Sequence, residues 1–142
     1  MAYPFTRVSA DNVEIVKRWL GSFDGDTEVF RGTVHPDIEW YPFEDNHTPS
    51  YGIDGAMRIR NGWNDAWEEM KIELEEVLDN DDCVVVSLHV TGRGKSSGVE
   101  VDTRLHLLFK VRDEKIIYVY EHTEKVAALD AAGLSAETSG SK

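Results

Sequence analysis

The hydrophobic period of this chain changes once, near Lys71, and that change dictates its class. Upstream, apolar residues recur every three or four positions; downstream they alternate. Helices therefore come first and a sheet follows.

In the upstream half Ser9 is a candidate N-cap, and Val13, Val16, Leu20 and Phe23 form one helical stripe with Trp19 on its flank. Phe23-Asp24-Gly25-Asp26 then offers a glycine for a left-handed helix end and an aspartate to cap a short second helix reaching Gly32. Asp37 to Tyr41 alternates as a short strand, and Phe43 to Gly52 has the composition of a loop. Asp54 is placed to cap a third helix, in which Ala56, Ile59, Trp63, Ala66, Trp67 and Met70 share a face.

Downstream, four strands are predicted over Ile72–Leu78, Cys83–Thr91, Val99–Val111 and Ile116–Thr123. A C-terminal helix over Glu124–Ala132 follows, stopped by Gly133. Three helices before an antiparallel meander predict an α+β fold with the helices on one face of the sheet. Residues 1–134 read as one domain and 135–142 as a loose tail.

Strand parity assigns the faces. Val101, Thr103, Leu105, Leu107, Phe109 and Val111 share the core face of the third strand, with Arg104, His106 and Leu108 opposite. The last strand has two possible registers. A three-residue connection sets Arg112 opposite Ile116 and turns Ile117, Val119 and Glu121 inward, with Leu107 across from Glu121. A two-residue turn, Asp113-Glu114, turns Tyr118 and Tyr120 inward instead. Ile and Val are the more readily buried, which favours the first register and places one carboxylate, Glu121, in an apolar concavity.

Composition narrows the function. With 15 Lys plus Arg against 27 Asp plus Glu, the net charge is −12, which opposes binding to nucleic acid or to anionic lipid. A strongly anionic substrate is disfavoured too, unless the site brings its own Arg or Lys. The single cysteine, Cys83, cannot form an internal disulfide, the N-terminus has no signal-peptide pattern, and no apolar run could cross a bilayer. A cytoplasmic protein with no membrane association is the expectation.

Phe23-Asp24-Gly25-Asp26, His35-Pro36-Asp37-Ile38-Glu39-Trp40, Tyr51-Gly52-Ile53-Asp54-Gly55, Tyr120-Glu121-His122 and the stretch from Val126 to Leu134, in that order, resemble a SnoaL-like protein. That family belongs to the nuclear transport factor 2-like superfamily, and the likeness runs from Asn12 to Leu134. It implies a cone-shaped α+β barrel in which N-terminal helices pack on a curved, mainly antiparallel sheet, with a short C-terminal helix. It also implies a pocket between helices and sheet, and a homodimer formed through the outer sheet face. The superfamily includes ketosteroid isomerase, limonene epoxide hydrolase and polyketide cyclases, and also non-catalytic members. Carried over by position, the isomerase's general base falls on Tyr41, its oxyanion-hole tyrosine on Trp19 and its protonated aspartate on Leu107, none of which keeps that chemistry. The second aspartate of the epoxide hydrolase falls on Glu121, which could still hold or deprotonate a water, whereas its Arg and first Asp partners fall near Ser87 and His89, where this sequence has no Arg–Asp pair.

The candidate site follows. Glu121 is the expected acid/base, because a desolvated carboxyl has a raised pKa suited to proton transfer near neutral pH; the bland alternative is a rim glutamate bonded to a loop amide or to Arg60. Tyr41, His47 and Asp45, in or beside the loop, could hydrogen-bond a ligand. Trp19, Trp40, Trp63, Trp67, Tyr51, Leu88, Leu107 and Phe109 are the expected lining, although aromatics at helical spacing more often simply fill a core. His89, His106 and His122 would share the outer face, where a metal site lacks any supporting ligand spacing; Arg104, His106, Tyr118, Tyr120 and His122 fit a dimer contact better. No metal or organic cofactor is expected. The leading function is a lyase, isomerase, cyclase or hydrolase acting on a neutral apolar or aromatic substrate. The alternative is a non-catalytic binding or dimerisation domain.

Overall fold

A computed structural model describes residues 4–23, 25–43, 46–80 and 83–134, with side chains of the first helix from Asn12 onward. The expected tail at 135–142 and the candidate Asp45 lie outside the described residues. The elements run α1 (Pro4–Gly21), α2 (Thr27–Gly32), β1 (Val34–Tyr41), β2 (Ser50–Tyr51), α3 (Gly52–Ala66), β3 (Trp67–Asp79), β4 (Val84–Gly94), β5 (Glu100–Arg112), β6 (Lys115–His122) and α4 (Lys125–Ala132). Six strands form one curved, unclosed sheet in the order β2-β1-β6-β5-β4-β3.

Local chemistry explains several boundaries. Asp26 caps α2, its carboxylate accepting the Glu28 and Val29 amides at 2.8 and 3.2 Å, and Gly133 ends α4 in the left-handed conformation at φ 78°. Other expected signals are overridden. Helix α1 starts at Pro4, so Ser9 falls inside it; Gly25 is not left-handed; and α3 is entered from Tyr51, leaving Asp54 in its first turn.

The largest departure is at the end of α3. Trp67 and Met70 continue the helical period on paper, yet Trp67 is the first residue of β3. There Trp67 pairs with Gly94, and the Lys95 amide donates to the Ala66 carbonyl at 2.9 Å. The edge hairpin satisfies backbone groups that a longer helix would take away from the sheet.

The β5–β6 hairpin combines the two registers. Its turn is the two-residue Asp113-Glu114, both left-handed at φ 55° and 64° as such a tight hairpin demands. A bulge at Ile117 then shifts the register by one, so that Phe109 faces Val119 and Leu107 faces Glu121. Ile116, Val119 and Glu121 point inward, while Ile117 sits in the bulge.

The main core lies between the inner sheet face and α1, α2 and α3, with Trp19, Phe30, Ile38, Trp40 and Phe109 at its centre. Helix α4 packs on the opposite face, where Ala128, Leu129 and Ala132 cover Val85 and Leu108. The helices therefore do not all share one face. Arg60, 5% exposed, locks α3 to the α1–α2 turn by donating to the Ser22 and Gly25 carbonyls and stacking over Phe30 at 5.2 Å.

Candidate functional site

Strand β1 runs parallel to β6, placing Trp40 opposite Val119 and one inward position from Glu121. The Trp40 indole Nε1–H donates to Glu121 Oε2 at 2.6 Å, and the Phe43 amide donates to Oε1 at 3.1 Å. Glu121 is 3% exposed. Its side chain thus binds the loop amide, as the bland reading anticipates, and Arg60 is engaged elsewhere.

Glu121 lines an interior cavity whose walls are Trp19, Leu20, Phe23, Trp40, Trp63, Ile72, Leu88, Val90, Leu105 and Leu107. The cavity measures about 30 Å³. That is room for about one or two water molecules, well below the roughly 300 Å³ at which pockets for drug-sized ligands begin. Trp19, one of these walls, is 1% exposed, and its indole N–H is buried without a partner among the described residues. Among the aromatic walls Trp63 is half-buried, whereas Trp19, Phe23 and Trp40 are buried.

Comparison with known proteins fixes the family. The family description "SnoaL-like domain" matches residues 16–119. The chain belongs to the SnoaL-like family. Solved structures agree in fold. A protein from Jannaschia sp. CCS1, provisionally described as a SnoaL-like polyketide cyclase, matches with TM-score 0.73 and 23% identity over 93% of this chain and 96% of that one. A Catenulispora acidiphila DSM 44928 protein with a ketosteroid isomerase-like fold, crystallised with trimethylamine, matches with TM-score 0.69 and 16% identity over 87% and 95%. TerC, co-crystallised with polyporic acid, matches with TM-score 0.68 and 20% identity over 87% and 98%. None of the curated protein sequences compared with the chain matches it.

In this SnoaL-like protein the expected site residues divide into three places. Glu121, Trp19, Trp40, Trp63, Leu88 and Leu107 meet at the cavity. Phe109 does not reach it; fully buried, it packs edge-on against Trp19 at 5.1 Å. Leu20, Phe23, Ile72, Val90 and Leu105 complete the walls, although none was singled out as lining from the sequence. Three of them carried the needed signal, since Leu20 and Phe23 are on the α1 stripe and Leu105 is on the inward parity of β5.

The second group lies outside. Tyr41 alternates with Trp40 on β1, so its ring stacks on Tyr120 at 5.4 Å and lies tilted against Tyr118 at 5.5 Å on the outer face. Its hydroxyl donates to Glu39 Oε1 at 3.0 Å, a bond that, ahead of burial, holds the phenol's pKa up at about 12. His47 stacks on Tyr120 at 4.5 Å with the ring planes nearly parallel, and its Nε2 is 2.7 Å from the Glu121 backbone carbonyl. Neither residue faces the Glu121 carboxylate. Tyr51 is 63% exposed on the short edge strand β2. Trp67, the third case, lines a separate groove outside α3 that it shares with Trp63.

On the outer face His106 pairs with His122, and Ser87 Oγ lies 2.8 Å from His106 Nδ1. Burial is the largest cause lowering both imidazole pKa values, and the neighbouring imidazoles lower that of His122 further. Among the described residues no group of three His, Cys, Asp or Glu is arranged to hold a metal. Arg104 is committed to a two-pronged ion pair with Glu75 at 2.9 and 3.1 Å. No helix among the described residues is long and apolar enough to cross a membrane.

Proposed function

We propose that the interior cavity is the reaction site of a cofactor-independent isomerase, cyclase, lyase or hydrolase, with Glu121 moving a proton to or from a largely apolar or aromatic substrate. The observation that carries this reading is a carboxylate 3% exposed on the wall of an otherwise apolar cavity that is also lined by Trp19, whose indole N–H is buried without a partner among the described residues. A buried N–H that the described residues leave unbonded, as at Trp19, is a place for a ligand or water acceptor. Trp19 Nε1–H would donate to a substrate oxygen while Glu121 takes a proton from an adjacent atom and returns it to the product or leaving group. Trp40 and the Phe43 amide hold the carboxylate in place. Family membership supports the small-molecule class of substrate.

Turnover of a panel of cyclic ketones and epoxides by the wild type and Glu121→Gln tests the reading. Loss of about 10²-fold or more in the variant is expected; unchanged turnover overturns the assignment. The cavity's small size favours a second reading, a non-catalytic domain whose interior is filled by its own side chains. Turnover by the wild type excludes it, and saturable tryptophan quenching by a ligand recovered unchanged would favour the binding form of it.

The outer sheet face is proposed as the contact between two copies. Helix α4 already covers Val85 and Leu108, leaving half-buried Tyr118, Tyr120 and His122 beside Arg104 for a partner. A sedimentation coefficient that Tyr118→Asp shifts from dimer to monomer would support this, and a wild-type monomer would refute it.

A further inference from the structure

A groove outside α3, walled by Pro42, Ser50, Arg58, Gly62, Trp63 and Trp67, encloses about 350 Å³. It reaches the size of a ligand pocket, which the interior cavity does not. Half-buried Trp63 lines both. The Trp63 and Trp67 ring centres are 6.5 Å apart with planes inclined at 38°. Trp67 is backed by bare backbone, because a Cβ at Gly94 would stand 3.5 Å from its Cζ3. That leaves a braced aromatic platform facing the groove.

Gly62 is unexplained by packing: it lies within α3, and a Cβ there would meet nothing within 4 Å. A glycine inside a helix costs stability relative to alanine, and here its bare Cα forms part of the groove wall. Arg58, one helical turn earlier, is exposed and forms no ion pair among the described residues. In a chain of net charge −12, it supplies the local cation that an anionic ligand requires.

We infer that this groove binds the planar aromatic carboxylate end of a ligand, with the rings against Trp63 and Trp67 and the carboxylate at Arg58. The inference rests on the cavity being a small-molecule site, and it narrows the substrate to an aromatic acid whose reacting part passes Trp63 toward Glu121.

Calorimetry on the full chain with 2-naphthoate and its uncharged counterpart 2-naphthamide tests it. The carboxylate should bind about three- to fivefold more tightly than the amide. Arg58→Gln should erase that preference and Arg58→Lys should keep part of it. Gly62→Leu should weaken both probes about tenfold by filling the floor, with a melting temperature unchanged or raised, a combination that general destabilisation cannot produce. Equal binding of the two probes, a preference that survives Arg58→Gln, undiminished binding to Gly62→Leu, or no binding at millimolar probe would each overturn the inference. Calorimetry needs no turnover, so an inactive wild type that still prefers naphthoate would defeat the catalytic reading alone.

Discussion

The two faces of β6 solve opposite problems with one strand. Inward, Ile116, Val119 and Glu121 meet a buried apolar interior in which the carboxylate accepts from the Trp40 indole and the Phe43 amide. Outward, Tyr118, Tyr120 and His122 form a half-buried aromatic and imidazole surface that Tyr41 and His47 extend by stacking. The segment after β1 is fastened to both at Glu121, through the Phe43 amide at the side chain and His47 at the backbone carbonyl. Polar groups on the inner face are few and enclosed; those on the outer face are many and mostly half-buried. Removing one should therefore cost much more inside than outside.

The largest effect is expected in the inner core. Phe109→Ala should cost about 3–5 kcal/mol in denaturant unfolding. Leu129→Ala, in the smaller cluster under α4, should cost less, about 2–3 kcal/mol. Equal losses would mean that the satellite cluster is as essential as the main core.

Next is the carboxylate. Glu121→Ala leaves the buried Trp40 indole and Phe43 amide without their acceptor, an expected loss of about 2–3 kcal/mol. Glu121→Gln retains one carbonyl oxygen and should lose about half as much, by the same measurement.

The outer face should respond to pH. His106 and His122 have folded-state pKa values below the ordinary 6.5, because burial disfavours the imidazolium. The unfolded chain therefore takes up protons first as pH falls, so stability is full above about pH 6.5 and declines below it toward the folded pKa values. Other charges facing the pair are Arg104 and Lys125, which oppose protonation of His106, and Glu75 and Glu76, which favour it. The decline between pH 6.5 and 5 should be shallower in His122→Phe, and identical slopes for the two proteins would remove His122 from the account.

The smallest effect is at Tyr41. Tyr41→Phe should change stability by less than about 0.5 kcal/mol and turnover by less than about twofold, since the hydroxyl serves only Glu39 at a part-exposed site. Spectrophotometric titration of the wild type should show one phenol ionising near pH 12 that this variant lacks. A large loss of turnover in Tyr41→Phe would erase the distinction between the faces.

Much of the fold was legible along the chain because strand parity and helical period are local. Alternation on β5 alone separates Leu105, Leu107 and Phe109 from Arg104, His106 and Leu108, and the structure follows that division. Parity also aims Glu121 inward once the register is known. The register itself needed a bulge at Ile117, which no turn signal announces.

The α3–β3 junction shows where local reading stops. Trp67 satisfies the helical stripe, but pairing with Gly94 is a contact across 27 residues of chain and leaves no trace in the period. The same holds for Tyr41 and His47, which lie close in sequence to Trp40 and Phe43 and close in space to the opposite face.

By itself, then, the sequence determined an α+β order of elements, the two faces of each long strand, and a lone acid on an apolar parity, because each follows from residue spacing within a single element. Only the tertiary structure decided that β1 lies parallel to β6, that Trp40 reaches Glu121, that the interior cavity is about 30 Å³, and that the wider groove lies on the other side of Trp63. Those properties arise from pairing and packing between segments far apart in the chain, and no local pattern encodes the space left between them.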